Sequence, residues 1–212
     1  MPNAEERAYR FIIHLILSGH YRPGAFLLEQ ELAEKLEISR TPVGRALSRL
    51  VSEGLLKKMP KKGCYIPIPT PEDARQVFEA RRCVESEAAK LAARNSSAAD
   101  AKVLRDILAE DREAFRLKDK DKWAAINEAF HMEIAKQSRN SYIMKWARYI
   151  FWQSNVYIFY LDGFYRPGKS EIVHQTPEQH EEILRAIEAH DEESAAEVMR
   201  VHLDSTHTKL LF

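Results

Sequence analysis

Cysteine is nearly absent. Cys64 and Cys83 are the only two among 212 residues, which excludes a disulfide framework and a Cys-x-x-Cys zinc ribbon and suits a reducing cytosol. Long apolar runs are also missing. No stretch approaches the ~20 residues of a membrane span, and no membrane partner is expected. The opening Met1-Pro2-Asn3-Ala4-Glu5-Glu6 lacks the basic and apolar regions of a signal peptide. Net charge is missing too, with 32 Lys and Arg against 32 Asp and Glu. That balance excludes a uniformly basic nucleic-acid coat, but not a basic patch offset elsewhere. There is no internal repeat and no low-complexity tract. What is present, 45% hydrophobic and 30% charged residues, is globular composition, neither disordered nor fibrous.

The charge is unevenly spread. Residues 1–69 hold 11 basic and 7 acidic side chains, leaving 21 and 25 for residues 70–212. From Ser39 to Lys62 the basic residues Arg40, Arg45, Arg49, Lys57, Lys58, Lys61 and Lys62 face Glu53 alone. The change of sign coincides with Ile66-Pro67-Ile68-Pro69-Thr70-Pro71, whose alternate prolines oppose both strand and helix and read as a short stiff linker. A basic head, 1–69, and an acidic body, 70–212, are therefore expected.

In the head, Ala8, Phe11, Ile12, Leu15 and Ile16 mark one helical face. Leu28, Leu32 and Leu36 mark a second helix, and Val43, Ala46, Leu47 and Leu50 a third. Ser39 or Thr41 is placed to cap the third helix, with Pro42 just inside it. The short gap between helices two and three is helix-turn-helix spacing. Leu55–Met59 and Gly63–Ile66 flank the polar turn Pro60-Lys61-Lys62-Gly63 and read as a two-stranded wing. A third helix laid in the major groove puts Arg40 and Arg45 within reach of guanine edges and Arg49 within reach of phosphate or base. Lys61 and Lys62 meet phosphate or the minor groove.

The strings Gly19-His20-Tyr21-Arg22-Pro23-Gly24, Leu28-Glu29-Gln30-Glu31-Leu32-Ala33-Glu34, Ser39-Arg40-Thr41-Pro42-Val43 and Glu53-Gly54-Leu55 resemble the GntR family of bacterial repressors. The resemblance covers the whole head. It implies a bacterial cytoplasmic protein, nucleoid-associated when bound to operator DNA. The DNA-binding set then comprises Ser39, Arg40, Thr41, Pro42, Arg45 and Arg49 on the helix-turn-helix, and Lys61, Lys62 and Gly63 on the wing. One departure stands out: the family usually carries Arg-Glu after Thr-Pro-Val, and here Gly44-Arg45 follows. Arg45 lies about 100° round the helix from the missing arginine and cannot make the same contact. An operator different from the family norm is expected.

Beyond residue 70 no strand alternation is evident, and helical patterns run over 71–95, 98–117, 120–138, 141–161, 177–190 and 192–210. Breaks fall at Asn140, the Gly163–Gly168 loop and His190-Asp191. The body reads as an all-α bundle, making the whole chain mainly α. Asn127 and His131 share the apolar side of one helix with Trp123, Phe130 and Ile134. His180 extends the stripe of Ile183, Leu184 and Ile187. His202 joins Ala195, Met199 and Leu203. A single inward histidine is more often a satisfied core residue than a ligand. Three converging ones can be satisfied together by one divalent metal, with the Asn127 oxygen as fourth ligand. A surface i, i+4 pair between Arg81 and Glu85 would add only a few tenths of a kcal/mol, yet both lie on the apolar side of the first body helix, where charge needs a purpose; effector contact by Arg81, or its packing against another subunit, is expected. Cys83 reads as a small core residue, and His174, His190 and His207 as surface residues. The aromatic group Trp146, Tyr149, Trp152, Tyr157, Phe159 and Tyr160 reads as core or dimer seam.

His131 with Ile134 and Asn140, His180-x2-Ile183, Ala195-x3-Met199-x2-His202, and Phe78-x2-Arg81-x2-Val84-Glu85 resemble the FCD effector domain of FadR-type GntR regulators. Many such domains bind a metal through one aspartate and three histidines, and the metal and an arginine then bind a carboxylate. Carried over, the histidines are His131, His180 and His202, and the arginine is Arg81. Asn127 stands at the aspartate position, and its neutral amide oxygen is a poorer ligand. The resemblance implies a homodimeric, effector-responsive DNA-binding regulator, usually a repressor, with zinc, nickel or manganese as cofactor and a small carboxylate as effector. A metal-free regulator sensing an acyl-coenzyme or other bulky ligand is the alternative. A metal-dependent hydrolase is a weaker one, since no inward carboxylate is well placed as a base, and an enzyme is not expected.

Overall fold

The computed structural model describes residues 3–162 and 176–210. The Gly163–Gly168 break and His174 lie outside the described residues. In the head, α1 (Ala4–Leu17) starts where the Asn3 side chain accepts a hydrogen bond from the Glu6 backbone N–H at 2.8 Å. Its apolar face buries Ala8, Tyr9, Ile12, Ile13, Ile16 and Leu17. Two further helices follow, α2 (Glu29–Leu36) and α3 (Arg40–Ser52). Between them Glu37 adopts a left-handed φ of 54° to end α2, and Ser39 is the N-cap of α3 without a side-chain capping bond.

The wing is β2 (Lys57–Met59) and β3 (Gly63–Tyr65), antiparallel, with Met59 opposite Gly63. The expected two-stranded wing is in fact part of a three-stranded sheet. β1 (Phe26–Leu27) pairs with the other edge of β3, Phe26 opposite Tyr65 and Leu27 opposite Cys64. Two residues are too few to show alternation, so this strand leaves no sequence signal. Leu55 and Leu56, read as strand, instead bury into the core just before β2.

The body is all helical: α4 (Pro71–Asn95), α5 (Ala98–Leu108), α6 (Asp111–Arg116), α7 (Lys120–Gln137), α8 (Ser141–Leu161), α9 (Thr176–Glu188) and α10 (Glu192–Thr208). Thr70 caps α4 by accepting from Asp73 N–H at 3.2 Å, and Pro71 occupies its first turn. The α4 helix runs through the centre, packed against α7, α8, α9 and α10. Its Ala88, Ala89, Ala92 and Ala93 are fully buried, small side chains that let neighbouring helices come close. Arg82–Asp204 and Arg94–Glu192 ion pairs tie α4 to α10 along the rim. Cys83 is exposed, not core. It lies about 200° round α4 from buried Arg81, on the opposite face. The single helix expected over 98–117 is two, broken at Ala109–Glu110. No Gly or Pro marks the break, and the new helix turns Asp111 and Ala114 inward.

Head and body meet along α8 and α7. Tyr160 donates its hydroxyl to the Tyr21 carbonyl at 2.7 Å, and His14 pairs with Asp121 at 2.7 Å. Trp152 meets the Tyr9 ring edge-on at 6.3 Å. Gly54 sits where α3 hands over to the wing, at a φ of +89°. A Cβ there would lie 2.7 Å from Gln153 Cγ and 3.3 Å from the Tyr149 carbonyl oxygen of α8. Both backbone conformation and close approach therefore require glycine. Gly54→Ala should cost roughly 1–3 kcal/mol. Urea denaturation checks this, and an unchanged midpoint would mean that neither the left-handed turn nor the α8 contact at residue 54 holds in solution.

Candidate metal centre and nucleic-acid interface

Three body helices each deliver one imidazole to the same point. His131 comes from α7, His180 from α9 and His202 from α10, and all are buried. Ring centroids are 5.8 Å apart for His131–His180, 5.3 Å for His131–His202 and 5.0 Å for His180–His202. One ligand-capable atom from each lies within 4.8 Å of the others, a grouping that a single ion can draw on.

The outer nitrogens decide the tautomers. His131 Nδ1 is 2.6 Å from Glu85 Oε2, and His180 Nδ1 is 2.8 Å from Asp111 Oδ2. A carboxylate only accepts, so each Nδ1 carries the hydrogen and donates it. The Nε2 lone pairs of His131 and His180 are buried with no hydrogen-bond partner among the described residues. His202 Nδ1 lies 3.1 Å from the Gln179 side-chain oxygen. Burial lowers the pKa of His131, with Glu85 opposing and Arg81 and His180 adding to the fall. Burial lowers His202 well below the ordinary histidine value, helped by the other two imidazoles. Neutral imidazoles with Nδ1–H held by carboxylates and Nε2 exposed inward are the form that ligates metals. The residues present therefore fit a divalent ion. Asn127, one turn before His131, lines the same cavity and offers an amide oxygen.

Arg81 is 2% exposed and lies inside the body, so packing against another subunit is excluded. Its Nε and Nη2 donate to the two Glu85 oxygens, and Nη1 donates to Ser154 Oγ at 3.1 Å. The guanidinium sits 5.2 Å from the Phe151 ring centre and 5.5 Å from that of Phe78. One N–H on each Nη remains for the cavity that Arg81 lines. Burial alone would raise the Glu85 carboxyl, but Arg81 and His131 hold it down at about 2. Ser154, Arg81, Glu85 and His131 thus form one buried chain of hydrogen bonds.

Sequence reasoning missed Asp111 and Lys209. Asp111 sits at the start of α6, and no local pattern pairs it with His180, 69 residues away. Lys209 follows α10 and lines the cavity beside His202 and Thr206. It lies seven residues after His202 and three after Thr206, and that helical spacing was the available signal. His207 stacks on Phe78 at 5.0 Å, and His190 Nδ1 donates to the Ala93 carbonyl at 2.7 Å. Neither is part of the cluster. Tyr149 and Trp146 are exposed, whereas Trp152, Tyr157, Phe159 and Tyr160 are buried.

On the head, Ser39, Arg40, Thr41 and Arg45 are exposed along the start of α3, and Lys61 and Lys62 are exposed at the wing tip. Pro42 and Gly63 are half-buried behind them. Arg40 has only a long pairing with Glu29, at 3.7 Å. Arg49 is different. It donates to Glu6 at 2.9 Å and to Glu53 at 3.1 Å, and its guanidinium lies 3.7 Å over the Tyr9 ring. These partners draw it away from the exposed basic face, because α1 and the end of α3 bring two carboxylates to it. Glu29 also fills the space over Gly44, where a Cβ would stand 3.2 Å from its Oε1.

An exposed basic helix-turn-helix face on a helical body with an internal polar cavity defines a DNA-binding regulator. Residues 4–66 match the gntR family of bacterial regulatory proteins, and residues 76–205 match the FCD domain. The chain belongs to the GntR family, with an FCD domain as its body. The Nta operon transcriptional regulator of Aminobacter aminovorans is 32% identical over 150 residues, covering 66% of this chain and 71% of that protein. The HTH-type transcriptional repressor GlaR of Escherichia coli K12 is 28% identical over 200 residues, covering 92% and 90%. The solved structure of E. coli McbR/YncC has a TM-score of 0.77 at 23% identity, covering 98% of this chain and 99% of that one. At that identity the likeness shows the fold. The chain is accordingly a DNA-binding transcriptional regulator and not an enzyme. Among the described residues no helix is long and apolar enough to cross a membrane.

Gly44→Ala should stabilise the head by up to about 1 kcal/mol, since helix propensity favours alanine and the half-exposed Glu29 carboxylate can move aside. A lowered urea midpoint would show instead that Glu29 is fixed.

Proposed function

We propose that this regulator is a homodimeric cytoplasmic repressor whose body holds a divalent metal and a small carboxylate effector. In this reading residues 1–69 grip one operator half-site each, and residues 70–212 carry effector binding and dimerisation. Two-fold protein symmetry then calls for a pseudo-palindromic operator. Repression is the reading supported by the name of the relative GlaR.

The observation that carries the proposal is the pair of buried Nε2 atoms on His131 and His180, which have no hydrogen-bond partner among the described residues. Leaving buried acceptors unpaired costs roughly 1–3 kcal/mol each, and one ion satisfies both. His131, His180 and His202 would hold zinc, nickel or manganese, with Asn127 as an oxygen donor. When bound, the ion supplies a Lewis-acid seat for a carboxylate oxygen. Arg81 faces the cavity with its remaining N–H groups, so it takes the second carboxylate oxygen. The cavity admits the centre of a water molecule over only about 20 Å³, room for one or two waters.

Helix α7 connects the cavity to the head. Asn127 and His131 lie on one side of it. Asp121 on the other holds His14 of α1, and Glu128 lines the cleft against α1 residues Arg10 and Phe11. An effector that draws His131 inward shifts α7 and with it the head. Release from DNA requires the effector to bind the non-binding arrangement more tightly, since equal affinity shifts nothing.

On the DNA side the proposed contacts are Ser39, Arg40, Thr41, Pro42, Arg45, Lys61, Lys62 and Gly63. Arg45→Ala should weaken operator binding by about 1–3 kcal/mol without moving the melting temperature. Arg49→Ala should lower the melting temperature, because it breaks the Glu6–Arg49–Glu53 network. Fluorescence anisotropy beside thermal denaturation separates the two, and the reverse pattern would sink this assignment of roles.

Elemental analysis of untagged protein should find about one divalent ion per chain, lost in His131→Ala. Asp111→Asn keeps the shape of the site and should weaken metal affinity roughly 10–100-fold. Asn127→Asp should tighten it. No metal in the wild type, even after incubation with zinc, nickel or manganese, overturns the metal reading.

A further inference from the structure

Lys209 is the cationic side chain in the cavity that the reading above leaves unused; buried Trp123, Ile158, Asp162 and Thr176 line the same cavity. Only 7% of the residue is exposed. Its ammonium nitrogen is inaccessible and has no hydrogen-bond partner among the described residues. It lines the same cavity as Arg81, Asn127, His131 and His202. The chain around it is anchored, since Leu210 forms an antiparallel bridge with Asp162 at the end of α8. Burial lowers the Lys209 pKa, and the nearby Asp162 charge opposes that. An ammonium left buried without hydrogen bonds is costly to keep. A flexible four-carbon stem could carry it to solvent, yet here it points inward.

Two cationic groups thus enter one small cavity from different elements. Arg81 comes from the centre of α4, where Glu85 and Ser154 fix it. Lys209 comes from the far end of α10. The Arg81 guanidinium is largely committed, and Lys209 is not. The Thr206 side chain, which lines the cavity beside Lys209, adds a hydroxyl whose hydrogen bond goes to the His202 carbonyl. Lys209 also lies beyond residue 205, where the match to the FCD domain ends.

We propose that Lys209 is a second anion seat and that the effector is a short dicarboxylate. One carboxylate lies at the histidine and Arg81 end of the cavity, and the other is taken by the Lys209 ammonium. This inference rests on the reading of the cavity as a carboxylate effector site. The cavity must widen beyond the room for one or two waters it shows here to take even a short dicarboxylate, so the shortest acids are favoured. A monocarboxylate fills only the first seat and leaves Lys209 without its partner.

The test is calorimetric titration of full-length, zinc-loaded protein with acetate, propionate, malonate and succinate, for the wild type and for Lys209→Met. Methionine keeps the length of the stem and removes the charge. The wild type should bind malonate or succinate at least tenfold more tightly than either monocarboxylate. Lys209→Met should lose that preference while keeping its affinity for acetate and propionate. Melting of the ligand-free proteins gives a second readout. Lys209→Met should melt at or above the wild-type temperature, because an unpaired buried charge has been removed. A lower melting temperature would mean that Lys209 is paired structurally, and it overturns the proposal. Lys209→Arg, which keeps the charge, should keep the dicarboxylate preference and guards against a folding artefact in the methionine variant. Equal binding of mono- and dicarboxylates by the wild type overturns the Lys209 seat alone. Binding of no carboxylate by either protein overturns the carboxylate reading of the cavity itself, and the Lys209 seat with it.

Discussion

Three imidazoles cannot be buried together unless the hydrogen on one nitrogen of each is accepted by something. In this protein Glu85, Asp111 and Gln179 do so. Much of the body follows from that requirement. Glu85 is itself a buried charge and needs Arg81, which in turn needs Ser154 and the faces of Phe78 and Phe151. Asp111 must reach the cluster from the loop side, which is met by ending α5 early and starting α6 with an inward carboxylate. The result is a polar centre in an apolar bundle, satisfied on the outside of the ring of histidines and unsatisfied on the inside. Buried polar groups of this kind are costly when only half partnered, which is why the inner side points to a ligand.

The same helices place the polar centre next to the DNA-binding head. Helix α7 has its histidine on one side and its Asp121 hydrogen bond to His14 of α1 on another. Helix α8 supplies Ser154 to Arg81, Tyr160 to the Tyr21 carbonyl and Gln153 against Gly54. A small displacement at the cavity therefore acts on rigid helices that already touch the head. Close-packed interfaces respond to such displacements by changing arrangement rather than by deforming smoothly. Gly54, with its positive φ and α8 pressed against it, marks where that contact tolerates least change.

Arg49 and Arg81 illustrate how little charge alone says about where an arginine serves. Arg49 belongs by position to the basic run from Ser39 to Lys62, yet Glu6, Glu53 and Tyr9 claim it. Arg81 has the i, i+4 spacing of an ordinary surface pair with Glu85, yet both are buried. Which of two arginines serves the surface and which the interior depends on the carboxylates brought to them by other elements.

Local periodicity was enough to determine the helix-turn-helix, the wing turn, the mainly helical body and the inward faces of His131, His180 and His202. A helix records its buried side in every 3.6 residues of its own sequence. The basic character of the α3 and wing face was legible for the same reason, since it is a property of neighbouring residues. What the tertiary structure decided lies between elements. It joined β1 to the wing, split α5 from α6, sent Cys83 outward, and gave His131 and His180 carboxylate partners 46 and 69 residues distant. It also folded Lys209 back into the cavity. Such pairings depend on how helices cross and how far each side chain reaches, and no window of adjacent residues contains that information.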